Sequence, residues 1–295
     1  MNEMTIFPPP GIKFKFSSED PLGILGPCTV QRYSKANPNF ITFCSEDYTV
    51  EGEFRDAAHT SKIPTPIGDV VVKSLEGDVM YEGPLDKKLL PSGNFCSLHS
   101  ETVSYRGGVV RGFPSGPGKM TVKNTRGKEC VRYCGTWIGG HAQGYMEVYL
   151  LSEVDEQNAK WELVFSGNLN PPGLPHGKGI VWFTIVNGKV VKYEGSCKRG
   201  QRHGAGVFCT DDWWFEGEFE YDDEVKGTTY FRNGPKVSFR KDDHENWYHV
   251  EYPNGDVYIG EMNKEMQRHG TGAYKYKDGK MCTGVFECDL YMGEA

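Results

Sequence analysis

The feature that most constrains this chain is an aromatic residue tied to glycines at fixed spacing, and the spacing returns along the sequence. Its fullest copy is Tyr193-Glu194-Gly195-Ser196-Cys197-Lys198-Arg199-Gly200-Gln201-Arg202-His203-Gly204-Ala205-Gly206. Related copies run from Tyr258-Ile259-Gly260 to His269-Gly270-Thr271-Gly272, from Phe165-Ser166-Gly167 to His176-Gly177-Lys178-Gly179, and from Tyr105-Arg106-Gly107 to Gly116-Pro117-Gly118. Side chains alternate faces along a strand, so Tyr193 and Gly195 share one face while Glu194 and Ser196 share the other. A glycine costs a strand stability, and its return beside an aromatic predicts a close approach of a neighbouring ring or backbone, with the glycines making room for a ring of a neighbouring unit to stack.

The second strand of each copy begins at the Gly-x-Gly. Two positions beyond its last glycine stand Met120, Val181, Phe208 and Tyr274, joined by Met146 if His141-Ala142-Gln143-Gly144 is a worn copy; four positions beyond stand Val122, Val148, Phe183 and Tyr276, with Thr210 the exception. This period of two predicts strands with one buried side. The polar, glycine-punctuated stretch Ser196 to His203 reads as a hairpin tip. Each repeat is thus a β-hairpin whose neighbour completes its core. The predicted fold is all-β, an elongated, curved, single-layer solenoid of antiparallel hairpins.

The glycines at positions 52, 83, 107, 135, 167, 195, 217, 260 and 284 mark the units, and the interval from Gly217 to Gly260 is about twice that from Gly195 to Gly217. A worn copy is expected there, around Lys236 to Asn254, with Val237-Ser238-Phe239 and Trp247 to Tyr252 as strands. Residues 1–45 read as an irregular N-terminal cap, whose Pro8-Pro9-Pro10 tract could instead dock on a partner as polyproline II. Residues 46–295 read as the array, clearest at 105–127, 165–188, 193–212 and 258–279. Pro64 and Pro66 exclude a central strand from the insert Arg55 to Ile67, and Glu153 to Lys160 reads as an acidic insert. Asn187-Gly188, Asn233-Gly234, Asn254-Gly255 and Asp278-Gly279 are turn signals between units. The last unit, starting at Met281, reads as truncated without its second strand, leaving an open edge through which a homodimer could pair.

These residues resemble the MORN-repeat family, whose repeat reads Tyr-Glu-Gly, four residues, Gly, two residues, His-Gly-x-Gly; the copy at 193–206 matches it without a gap. The resemblance implies a non-enzymatic scaffold that binds a partner protein, as a helix or extended peptide, in cytoskeletal or membrane-adjacent assemblies. The candidate groove residues are Trp137, Trp182, Tyr193, Phe208, Trp213, Trp214, Phe215, Tyr258 and Tyr274. The alternative is a peripheral phospholipid-binding module using basic hairpin tips, with Lys198, Arg199 and Arg202 in one and Lys264 and Arg268 in the other.

A net charge of −7 argues against general nucleic-acid binding. Nine scattered cysteines and the lack of a secretory leader or long apolar run point to a cytoplasmic protein, peripheral to membrane or cytoskeleton. No cofactor, metal or catalytic residue is expected. His176, His203 and His269 recur at one motif position but belong to different units, so they read as structural, satisfying backbone at the turns. Cys130 and Cys134 lack the second pair a zinc site needs. A reversible disulfide between Cys197 and Cys209 is conceivable without being indicated.

Overall fold

A computed structural model of the chain describes residues 25, 28–33, 36–55, 64–152, 159–186, 189–240 and 247–294. The polyproline tract, most of both predicted inserts and the Asn187-Gly188 turn lie outside the described residues. The protein is all-β: antiparallel strands follow one another as hairpins, and no α-helix occurs among the described residues. It divides into two compact units, Met1–Leu174 and Pro175–Ala295.

In the first unit the strands Thr29–Tyr33, Phe40–Cys44, Tyr48–Arg55, Thr65–Ser74, Val79–Gly83, Gly93–His99, Val103–Val110, Phe113–Lys123, Glu129–Ile138, His141–Ser152 and Lys160–Asn170 each pair with the next. The described part of the predicted irregular cap is therefore sheet. Pro66 also lies in a strand, contrary to expectation. It pairs with Phe54 beyond a bulge, while the other edge of Thr65–Ser74 is paired only from Val70 to Lys73, so its missing N–H breaks no ladder.

The second unit repeats the plan through Gly177–Val186, Lys189–Lys198, Gln201–Cys209, Trp213–Glu220, Asp223–Phe231, Lys236–Arg240, Trp247–Glu251, Val257–Met262, Arg268–Lys275, Met281–Glu287 and Leu290–Gly293. The worn copy has its two strands where the sequence placed them. The last unit does have a second strand, short and paired to Met281–Glu287, which corrects the reading of a missing one.

The structure gives each motif residue a task. Tyr193 lies over the cross-strand pair Gly195 and Gly206, and a Cβ at Gly206 would stand 2.5 Å from its hydroxyl oxygen and 2.6 Å from its ring. Its hydroxyl then donates to the Ser196 carbonyl at 2.6 Å. Tyr258 repeats this over Gly260 and Gly272, donating to the Glu261 carbonyl at 2.7 Å, and Tyr105 does so over Gly107 and Gly118, donating to Gly108 at 3.0 Å. The ring that needs the glycines is thus the repeat's own, and the expected ring from a neighbouring unit is corrected.

The His-Gly glycine has a different task. Gly195 pairs with Gly206 and Cys197 with Arg202, so residues 203–205 stand opposite Ser196 alone. The same three-against-one bulge recurs opposite Glu261, Gly108 and Thr136. Gly204 and Gly270 sit in it at φ +80° and +74°, a conformation side chains resist. Gly144, at φ +78°, is this bulge glycine in the worn copy, and Met146 takes the last glycine's place opposite Gly135. At the copy near His176 the register differs by one from the sequence reading. Ile180 pairs with Gly195 and is buried, so Trp182, not Val181, shares the core face with Tyr193.

The bulge bends the hairpin and folds its tip back over the ring face. Residues 202 and 208 would be about 20 Å apart along a straight strand, yet the Arg202 guanidinium lies 5.0 Å from the Phe208 ring. Bending is how a single sheet encloses a core. The position four beyond the motif aromatic completes that core: Val109, Trp137, Leu169, Cys197, Phe219, Met262 and Phe286 are all buried. Through it, one repeat packs on the next, as Phe219 meets Tyr193 edge-on at 5.4 Å, Phe286 meets Tyr258 at 5.2 Å and Trp137 meets Tyr105 at 5.7 Å.

Candidate functional site

The predicted groove residues divide into three groups. Trp137, Tyr193, Phe215 and Tyr258 are fully or almost fully buried. They are the core just described, so a partner could touch them only by opening the sheet, and they leave the list of contact candidates. Trp214 faces the opposite side of the sheet from its neighbours and stacks on Tyr230 at 4.9 Å and 8°. Strand alternation alone separates Trp214 from Trp213 and Phe215.

Four candidates remain partly exposed on the ring face of the second unit: Trp182, Phe208, Trp213 and Tyr274. Tyr274 is engaged by the protein itself. Its hydroxyl donates to Asp256 at 2.7 Å, which holds the Asp256 carboxyl below its usual range, and Arg268 lies 4.9 Å over its ring. Phe208 packs between the Arg202 guanidinium and Trp213, whose ring is 5.6 Å away. Trp213 pairs across the sheet with Phe231, which is 37% exposed.

Phe231 opens onto a feature the sequence reading missed. Beside it lies an open recess of about 400 Å³, lined by Asp212, the turn from Arg232 to Pro235, Tyr252 and exposed Met266 as well as by the buried Val237, Val250 and Met262. It sits at the worn repeat, where Val237 and Val250 face each other in the row that elsewhere holds Tyr193, Phe215 and Tyr258. Two valines replace a large ring, and Phe239 and Tyr248 stand in line with Gly227 and Gly260. The signal was present in the sequence as the loss of the glycines.

The basic tips are altered by their neighbours. The Arg202 guanidinium is 4.8 Å from the Phe219 ring, and it donates to Asp222 Oδ1 at 3.3 Å and to the Asp222 carbonyl at 2.7 Å. The Arg202 backbone N–H also donates to Asp222 Oδ1 at 2.8 Å. Arg268 makes the same set with Asp289 at 3.0, 2.7 and 3.0 Å. Both arginines thus close the tip end of the core with their charge neutralised. Lys198, Arg199 and Lys264 remain exposed, and Lys198 Nζ lies 3.4 Å from the Tyr221 hydroxyl.

Tip-to-tip hydrogen bonds recur at one register. Gly112 donates its N–H to the Pro91 carbonyl, Gly140 to Pro114, Gly200 to Pro175, Asp222 to Arg202 and Asp289 to Arg268. Glycine at the turn is matched with proline on the preceding tip, and aspartate with arginine. A prolyl residue has no N–H for a carboxylate to accept from, whereas Arg202 and Arg268 each offer one.

The histidines serve turns unevenly. His176 Nδ1 accepts the Arg199 N–H at 3.4 Å, His203 packs on Tyr221 at 5.1 Å with its buried Nδ1 unbonded, and His269 is exposed. Cys130 donates its thiol to the Val122 carbonyl at 3.3 Å, and among the described residues no three His, Cys, Asp or Glu converge on a metal position. Cys197 pairs near Arg202 and Cys209 with Lys192, five residues apart along one strand, too far for a disulfide. Burial, aided by the Asp222 charge, pushes the Cys197 thiol up to about 12.

No protein-family model matches this chain, and no curated protein matches it.

Proposed function

We propose that the protein is a non-enzymatic scaffold that binds a partner protein on the ring face of its second unit. The partner's anchor is a large apolar side chain seated in the recess at Phe231, Pro235, Tyr252 and exposed Met266, with Trp213 at the rim and the buried Val237, Val250 and Met262 beneath. The observation that carries this reading is the recess itself, about 400 Å³ at the worn repeat, with the apolar Phe231, Pro235, Tyr252 and Met266 among its lining. Recesses of this size and lining take apolar anchors, and exposed aromatics beside them are the residues that dominate interface energies. The MORN resemblance of Tyr193 to Gly206 supports a scaffold role in the same direction.

The phospholipid alternative draws less support, because Arg202 and Arg268 are spent on Asp222 and Asp289. Three exposed cations then remain of the five proposed. The test compares recovery of bound protein from cell extract by the full chain and three variants. Trp213→Ala with Phe231→Ser is expected to lose the partner, while Trp214→Ala and the pair Lys198→Glu with Arg199→Glu retain it. Loss in the charge-reversed pair with retention in the Trp213 variant would overturn the reading.

A further inference from the structure

We propose that a concavity in the first unit, on the sheet face away from the rings, binds an extended acidic peptide segment carrying a large apolar side chain. The site goes beyond the groove of the second unit and does not depend on it. Its argument starts from a charge inversion inside the repeat. The residue before the ring-seating glycine is Glu51, Glu82, Glu194 or Glu216 in four copies, and Arg106 in the copy at 105–118. The residue directly across the sheet from Arg106 is Lys119.

Two cations opposite one another on a strand pair repel, and this pair is uncompensated. Both are exposed, and neither has an ion pair among the described residues. The nearest carboxylates in the same row, Glu82 beyond Ser97 and Glu147 beyond Cys134, are each two strands away, about 9–10 Å. Glu147 is already taken by the Tyr149 hydroxyl at 2.7 Å. The positive field reaches His99, whose pKa is lowered by burial and then by the charges of Lys123 and Arg106.

Phe95 supplies the apolar wall. Gly93 pairs with Val109 and Cys96 with Gly107, so Asn94 and Phe95 bulge out of register, leaving Phe95 91% exposed. Phe95, Arg106 and Lys119 line one concavity of about 580 Å³ with Asn94, and its floor is Gly107, Gly108 and the stretch from Ser115 to Gly118. Four glycines in that floor leave little side-chain bulk, which admits a peptide backbone closely. Against a chain of net charge −7, the unpaired Arg106 and Lys119 attract an acidic segment to this face, which fixes its register.

The experiment selects a displayed library of random dodecapeptides against the full chain and measures enriched peptides by fluorescence anisotropy. Enrichment of peptides joining acidic residues to Phe, Trp or Leu is expected. Their affinity should fall at least tenfold in Arg106→Gln with Lys119→Gln and in Phe95→Ser, and hold within twofold in Lys198→Gln. Thermal melts of these surface variants should match the parent. Enrichment without acidic residues, no enrichment, or affinity unchanged in the Arg106 and Phe95 variants would each overturn the proposal. Sedimentation with phosphatidylserine vesicles, lost in the Arg106 variant while no peptide enriches, would do so in favour of a lipid headgroup.

Discussion

The intact repeats around Tyr193 and Tyr258 and the worn repeat from Lys236 to Glu251 share one hairpin backbone but fill it differently. In the intact copies a ring lies on two glycines and bonds the carbonyl three residues on. In the worn copy valines take the ring row, Phe239 and Tyr248 fall in line with neighbouring glycines, and a cavity opens. The ladder of hydrogen bonds therefore holds the architecture, while the ring and glycine pair decides how the ring face is filled.

The sharpest way to break that comparison is to put a side chain under a ring. Gly195→Val should abolish cooperative folding of the second unit, since a Cβ there meets Tyr193 at 2.5 Å and the Gly206 backbone at 2.6 Å. Ser196→Val, on the bulge's other side, should shift the melting temperature by only a few degrees by circular dichroism. Next in size is Phe219→Ala, which removes a buried ring joining Tyr193 and Phe215 and should cost about 3–5 kcal/mol in denaturant titration. Trp213→Ala at the rim should cost under about 1 kcal/mol.

Filling the worn repeat tests the other side of the comparison. Val250→Leu should cost about 1–3 kcal/mol in denaturant titration, because Val250 is buried against Val237, Tyr258 and Met262 and the larger side chain overpacks that cluster. Removing one tip clasp is smaller. Asp222→Ala should cost about 1 kcal/mol, discounted because the Asp222 side chain is 47% exposed, and Asp223→Ala should be near neutral in the same titration. The Cys197 thiol gives a pH signature. Its folded pKa is raised from 9.0 to about 12, so its contribution to stability is complete below pH 9 and is lost as pH rises toward 12. Cys197→Ala should flatten that part of the stability profile, and at pH 8 iodoacetamide should label exposed Cys288 well before Cys197.

Much of this was legible in the sequence because the repeat couples a local pattern to a local structure. The hairpins, the turns at Asn254-Gly255 and Asp278-Gly279, and the strands of the worn copy follow from alternation and turn chemistry. The row Val109, Trp137, Leu169, Phe219, Met262 and Phe286 could have been read by carrying the period of two past the glycine. Alternation also separates Trp214 from Trp213. The clasp of Arg202 with Asp222 could not be read, because it depends on how one hairpin's turn registers against the next hairpin's strand. The ring's own glycines were mistaken for a neighbour's seat for a related reason: a flat Tyr193 ring and its bond to Ser196 are matters of rotamer and bend, which periodicity does not encode.

The most direct test of the ring and glycine account is a double-mutant cycle at Tyr193 and Gly206. Gly206→Ala adds a methyl whose three nearest atoms all belong to Tyr193. By denaturant titration it should destabilise the parent by several kcal/mol and cost nearly nothing, or even stabilise, in a Tyr193→Ala background. An equal penalty in both backgrounds would show that Gly206 is needed for backbone reasons, and that the ring is not what the glycines serve.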